Sequence, residues 1–319
     1  PLEPMSPPMS KDYPSWMFRT FQNFKFCSSL ASFIRIFLLF SLIYTQAAVL
    51  IFLPSGFSLP SPAFSQTSTN KTDSKVSHRL ENFLISTEDR DNWTRLMLAI
   101  LNSVPAVEQV LAQGVSVNIR GTEEFHGVTP LIFASGIGSL VIVKLLVEKG
   151  ARLNDTDTQG NTALIQAAKK GHFDTLQYLL LQGANPNAET NQKWKALMFA
   201  AHRGQFEVLK TLLKHGARAD FQDDLGMSSI MYAAQNGHFE IVLHLLKRGA
   251  KVDLASLNGS TALIWAIRAG HENITELLLN AGAEINYLES EFQRSPLLLA
   301  AMYGSESTVK RLLSAGANV

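Results

Sequence analysis

At 319 residues, with net charge +1 and 46% hydrophobic against 17% charged residues, the chain has an ordinary globular balance and room for a sizeable core. The absence of a strong electrostatic bias argues against a nucleic-acid partner. The one cysteine, Cys27, lies near the start, which removes disulfides, thiolate catalysis and cysteine metal sites from everything after it.

In chain order, the first feature is Ile36 to Leu53, IFLLFSLIYTQAAVLIFL. It is apolar apart from Ser41, Thr45 and Gln46, and the basic Lys25 and Arg35 precede it. A core helix would carry a polar face, and this stretch has none. At about 1.5 Å per residue it approaches the lower limit for spanning a hydrocarbon layer about 30 Å thick. Two readings follow. As a secretory signal, residues 1–65 run through the apolar stretch to Pro54, Gly56, Pro60 and Pro62, and end at a small-x-small cleavage site, Ala63-Phe64-Ser65. As a single-pass anchor, the segment stays in the bilayer with its basic side inside. Either way the later residues are exported, to the periplasm or outside the cell, and cleavage near Ser65 is the preferred reading. Membrane contact is expected only through this segment. The chain starts at Pro1, and Met9 and Met17 are alternative starts that would leave the residues before them untranslated. Gln66 to Ser77, QTSTNKTDSKVS, lacks apolar periodicity and reads as a flexible tether, so folding is expected over 78–319.

Beyond the tether the sequence repeats itself. Thr129-Pro130-Leu131, Thr162-Ala163-Leu164, Lys195-Ala196-Leu197, Ser228-Ser229-Ile230, Thr261-Ala262-Leu263 and Ser295-Pro296-Leu297 are spaced by 33, 33, 33, 33 and 34 residues, and a degenerate copy starts at Thr94-Arg95-Leu96. A second series stays in register: Gly150-Ala151, Gly183-Ala184, Gly216-Ala217, Gly249-Ala250, Gly282-Ala283 and Gly316-Ala317. A third places Asn154, Asn187, Asp220, Asp253 and Asn286 after those pairs, with Asn118 after Gly114-Val115. Units therefore start near 92, 127, 160, 193, 226, 259 and 293.

Each unit has the chemistry of two short antiparallel helices joined by turns. A Thr or Ser opens the first helix as N-cap, followed by apolar and alanine positions such as Leu164, Ile165, Ala167 and Ala168. Glycine closes it at Gly171, Gly204, Gly237, Gly270 and Gly304. The second helix carries apolar residues at helical spacing, as in Val208, Leu209, Leu212 and Leu213, and Asn or Asp suits the turn to the next unit. No helix pair can cover its own apolar faces, so the copies must stack and share one elongated core. Leu297, Leu299, Val309, Leu312 and Leu313 supply no polar end-cap in the last copy, which is expected to be truncated.

These residues resemble the ankyrin repeat family over about seven copies, and TALIQAAKKGHFDTLQYLLLQGANPNA from Thr162 to Ala188 follows its pattern throughout. The fold implied is an all-α solenoid of helix-turn-helix units with β-turn or loop tips, preceded here by an N-terminal hydrophobic helix. One departure stands out. Where the family often has His after Thr-Pro-Leu, this chain has Ile132, Ile165, Met198, Met231, Ile264 or Leu298, so apolar packing must replace the polar bracing.

The resemblance also implies function: a non-catalytic scaffold that holds a protein partner on a concave groove, without a cofactor. Contact positions at the loop tips correspond to Trp194, Met227 and Arg294. Those just before the helix-ending glycine correspond to Lys169, Lys170, His202, Arg203, Gln235, Asn236, Arg268, Met302 and Tyr303. Trp265 falls at the core phase shared by Phe133, Gln166, Phe199, Tyr232 and Leu299, and is expected to be buried. His172, His238 and His271 invite a metal reading. They recur at one phase, however, and stacked helices about 8 to 10 Å apart cannot bring two of them to one ion about 2 Å from each, so a structural role is expected. Asp223-Asp224 and Glu123-Glu124 read as solvated turns, and no nucleophile turn or phosphate loop is present. The alternative function is a regulatory arm on a membrane-tethered enzyme or transporter whose active domain lies past Val319.

Overall fold

The computed structural model describes residues 92–319 except 123–124, 291 and 304–305. The expected leader, the tether, residues 78–91, Glu123-Glu124 and Gly304 lie outside the described residues.

Among the described residues the chain forms fourteen helices in seven pairs. They are α1 (Asn92–Asn102) with α2 (Val104–Ala112), α3 (Pro130–Ile137) with α4 (Leu140–Glu148), α5 (Ala163–Lys170) with α6 (Phe173–Leu181), and α7 (Ala196–His202) with α8 (Phe206–Lys214). The series continues with α9 (Ser229–Gln235) and α10 (Phe239–Lys247), α11 (Ala262–Arg268) and α12 (Glu272–Asn280), and α13 (Pro296–Tyr303) and α14 (Glu306–Ser314). Strand pairing among these residues is limited to isolated bridges, Glu189 with Lys195 and Gln222 with Ser228. None of the described helices is long and apolar enough to cross a membrane.

First helices pack on first helices and second on second, with the first row the closer. Alanine explains the difference: Ala134, Ala167, Ala200, Ala233 and Ala266 are all fully buried between first helices, where a larger side chain would hold the axes apart. Between the rows lie Leu164, Leu176, Leu179, Leu209, Leu212, Leu245 and Leu278, each essentially inaccessible. Each contributes about 1.5–3 kcal/mol of burial. The positions where the family has His are filled by Ile132, Ile165, Met198, Met231 and Ile264, all buried, while Leu298 is exposed.

The expected N-caps form at Thr129, Thr162 and Thr261, whose hydroxyls accept from the amides of Ile132, Ile165 and Ile264, and at Ser295, which accepts from Leu298. Ser228 makes no such bond. Thr94 also differs, because it lies inside α1 and does not open it. The buried Trp93 stacks on Phe125 at 4.3 Å and donates its indole N–H to the Val128 carbonyl at 2.7 Å.

The Asn and Asp series does more than suit a turn. Asn154 Oδ1 accepts from the Asn185 amide at 2.9 Å, Asn187 from Arg218 at 3.0 Å, Asp220 from Lys251 at 3.0 Å and Asp253 from Glu284 at 2.9 Å. Asn118 and Asn286 do the same toward Arg152 and Asn318, both at 2.8 Å. Every one of these bonds joins one unit to the next. The loop tips form a parallel series of backbone bonds, from Thr158 to His126, Asn191 to Gln159, Asp224 to Gln192, Leu257 to Leu225 and Ser290 to Asn258. These projecting turns, here called fingers, lead into the first helices, and Arg268 at the end of α11 reaches the next finger at Glu289.

Candidate functional site

One buried position fixes each finger after the first: Asp157, Thr190, Asp223, Ser256 and Glu289. Asp157 Oδ1 accepts from the amides of Gln159 and Asn161, and Asp223 Oδ1 from those of Leu225 and Met227, folding the turn around one carboxylate oxygen. Thr190 Oγ1 does a smaller version of this, accepting from Trp194 N–H at 3.1 Å. Lys193, next to Trp194, has φ 58° where three other fingers use Gly160, Gly226 and Gly259, so this tip, like the Glu289 finger with Gln293 at φ 51°, holds a side chain in a conformation that suits glycine.

The Trp194 finger leans on the first-helix row. Its half-buried ring lies 4.7 Å from Phe199, 4.5 Å from Tyr232 and 5.9 Å from His202, joining two units in one aromatic cluster. The Tyr232 hydroxyl donates to Asp223, and burial, with that carboxylate second, raises its pKa far above the ordinary phenol. Lys169 extends the cluster into a third unit, its ammonium 5.6 Å from the Phe199 ring centre. Lys170, His202 and Arg203 surround it and are exposed. Partial burial lowers the pKa of Lys169, and Arg203 lowers it further against the opposing pull of Asp157. Burial likewise lowers Lys170, followed by Lys169 and Arg203, and lowers His202, followed by Arg203 and His238. Like charges are crowded here.

The remaining contact candidates are not equivalent. Asn236 is exposed but donates to the Tyr232 carbonyl at 2.8 Å, and Gln235 is half-buried. Met302 and Tyr303 are exposed at 56% and 52% in the last first helix. Met227 corrects the expectation: at 4% exposure its side chain lies in the core, because Asp223 curls the finger back and turns it inward. Arg268 and Arg294 both have their guanidiniums bound to Glu289, whose side chain is 1% exposed. Trp265, expected in the core, is half-buried beneath Arg268 at 5.6 Å.

The recurring histidines have a common structural task. His172 Nε2 donates to the Gly136 carbonyl at 3.1 Å, His238 to His202 at 3.2 Å and His271 to Gln235 at 3.3 Å, each closing the end of the preceding first helix. The acceptor is a carbonyl, so the proton is on Nε2. Gly204 shows the steric side of this arrangement. Its φ is +72°, and a Cβ there would fall 2.7 Å from His238.

Sequence reasoning missed Glu289 and the inter-unit role of the Asn and Asp series. Glu289 carries a signal, being the longest acid at a phase otherwise held by Asp, Thr or Ser. Comparison with known proteins gives a family model described as ankyrin repeats (3 copies), which matches residues 96–190, 180–256 and 251–319. No curated protein matches the chain.

Proposed function

Because the chain belongs to the ankyrin repeat family, whose repeats are in general modules for protein–protein interaction, we propose that it is a non-catalytic scaffold. It holds a protein partner on the face formed by the fingers and the C-terminal ends of the first helices. The contact centres on Trp194, His202 and Arg203 and extends toward Tyr303. One observation carries this reading: the cluster of Trp194, Phe199, Tyr232, His202 and Lys169 joins three successive units and leaves Arg203 at its exposed border. Tryptophan, tyrosine and arginine are the types that most often dominate binding energy.

Location is part of the proposal. The order of basic residues, apolar stretch and Ala63-Phe64-Ser65 supports export, with Gln66 as the first residue of the mature chain. Mass spectrometry of the N-terminus checks this directly. For the binding face, the full chain carries a photo-crosslinking residue in place of Trp194 and is exposed to cell-envelope extract. A discrete protein adduct that is lost on changing Arg203 to Ala supports the face, and no adduct at this position overturns it.

A further inference from the structure

Along the fingers and the first-helix ends, most cations have an acid of this chain beside them. Arg120 pairs with Asp155 at 3.4 Å and Lys193 with Asp224 at 3.0 Å, Lys195 pairs with Glu189, and Arg268 and Arg294 share Glu289. Lys169 and Arg203 break the pattern. Among the described residues neither forms an ion pair, and the charged groups acting electrostatically on Lys169 include Arg203, Lys170 and the buried Asp157. The Asp157 carboxylate is already occupied by the amides of its own finger and the Asn161 side chain. Lys169 and Arg203 therefore carry positive charge that their own chain offsets only in part, through Asp157, next to an aromatic cluster.

We propose that the partner segment seated on this face is an acidic stretch of polypeptide, with carboxylates against Lys169 and Arg203 and its body against Trp194. The proposal rests on the binding face argued above and adds the chemistry of what occupies it. Charge complementarity of this kind sets the choice of partner and speeds association. A nucleic-acid strand fits less well, because it needs a run of cations along its phosphates and rings free to stack on bases. Trp194, Phe199 and Tyr232 are packed against one another and half-buried or buried.

The test is fluorescence anisotropy with the full-length chain and a short labelled peptide of alternating Glu and Leu, against the same peptide with Gln for Glu. The acidic peptide is expected to bind at least about tenfold more tightly, with affinity falling as salt rises. The pair Lys169→Gln and Arg203→Gln should remove about tenfold of that affinity. The charge-preserving pair Lys169→Arg and Arg203→Lys should retain it, which separates loss of charge from loss of fold. Lys214→Gln with Lys247→Gln, the same change of net charge at the second-helix ends, should alter it by less than about twofold. The proposal is overturned if the two peptides bind alike, if the second-helix pair weakens binding as much, or if a single-stranded oligonucleotide of equal charge binds more tightly. Competition separates this idea from the face itself. If extract proteins crosslink at position 194 and the acidic peptide does not displace them, the acidic partner is wrong and the face stands. If nothing crosslinks there, both fall.

Discussion

Lys169 and Arg268 occupy the same phase of the repeat, at the end of a first helix, yet their surroundings are opposite. Arg268 reaches a carboxylate 21 residues further on, Glu289, which also holds Arg294. Lys169 finds Thr190 at the same separation, and Thr190 spends its hydroxyl on the Trp194 amide. A single finger position thus decides whether the cation above it is neutralised within the chain or left for another molecule. The surroundings of Arg268 are electrostatically closed and those of Lys169 open.

The largest effect expected from probing this contrast comes from the glycines that follow the two regions. Gly204 and Gly270 share φ +72°, but a Cβ at Gly204 would meet His238 at 2.7 Å, whereas at Gly270 it would meet nothing within 4 Å. Gly270→Ala should cost only the left-handed backbone penalty, about 1–2 kcal/mol. Gly204→Ala should cost about 3 kcal/mol, because overpacking adds to it and the His238 bond to the His202 carbonyl is displaced. Urea denaturation of the two variants measures the difference, and equal losses would mean the histidine contact is unimportant.

Next in size is Glu289→Ala. Removing a buried carboxylate from two arginines should destabilise by about 2 kcal/mol, below the usual cost for a fully buried pair because both guanidiniums lie near solvent. Hydrogen exchange should show the loss concentrated in α11 to α14, since neighbouring units share stability. The converse change, Thr190→Glu, should close the open region by pairing with Lys169. It should weaken the acidic peptide about threefold and cost about 1 kcal/mol through the lost bond to Trp194.

The smallest effect is acid sensitivity. His202 has its pKa lowered from 6.5, first by burial and then by Arg203 and His238. A depressed pKa means the folded state takes up its proton later than the unfolded chain. Stability is therefore full above 6.5 and falls as pH drops through the His202 folded value. His244 is lowered in the same direction by burial, then Arg248, Lys210 and Lys247. NMR titration should place both imidazoles below the ordinary value, and His202→Gln should flatten the pH slope of stability.

The helix pairs were legible because their determinants are local and repeat: a capping hydroxyl at Thr129 or Thr162, alanines at the close contacts, a glycine at most helix ends. The candidate site was legible only in outline. The family resemblance pointed to Trp194, His202 and Arg203 as contact positions, since it implies which places in the repeat face a partner. It did not reveal that Arg268 and Arg294 are occupied, because that depends on side-chain reach across a finger. Nor did it separate Met227 from Trp194, which share a phase. One finger has a carboxylate that draws its backbone tightly in and buries the methionine, and the other has a threonine and a ring held against Phe199 and Tyr232.

The bonds from the Asn and Asp side chains have a consequence for how such a molecule can change length. In the four central links donor and acceptor are 31 residues apart, always across a boundary between units. Excising a whole 33-residue unit lets each flanking side chain find an equivalent amide, while excising a fraction of one leaves an acceptor and a donor without their matches. Only the fingers escape this quantisation: the last link spans 32 residues, and its surplus residue sits between Glu289 and Arg294, which are five apart where Asp157 and Asn161 are four. The chain can therefore be lengthened or shortened in whole notches along its axis, with finer adjustment confined to the fingers beside the binding face.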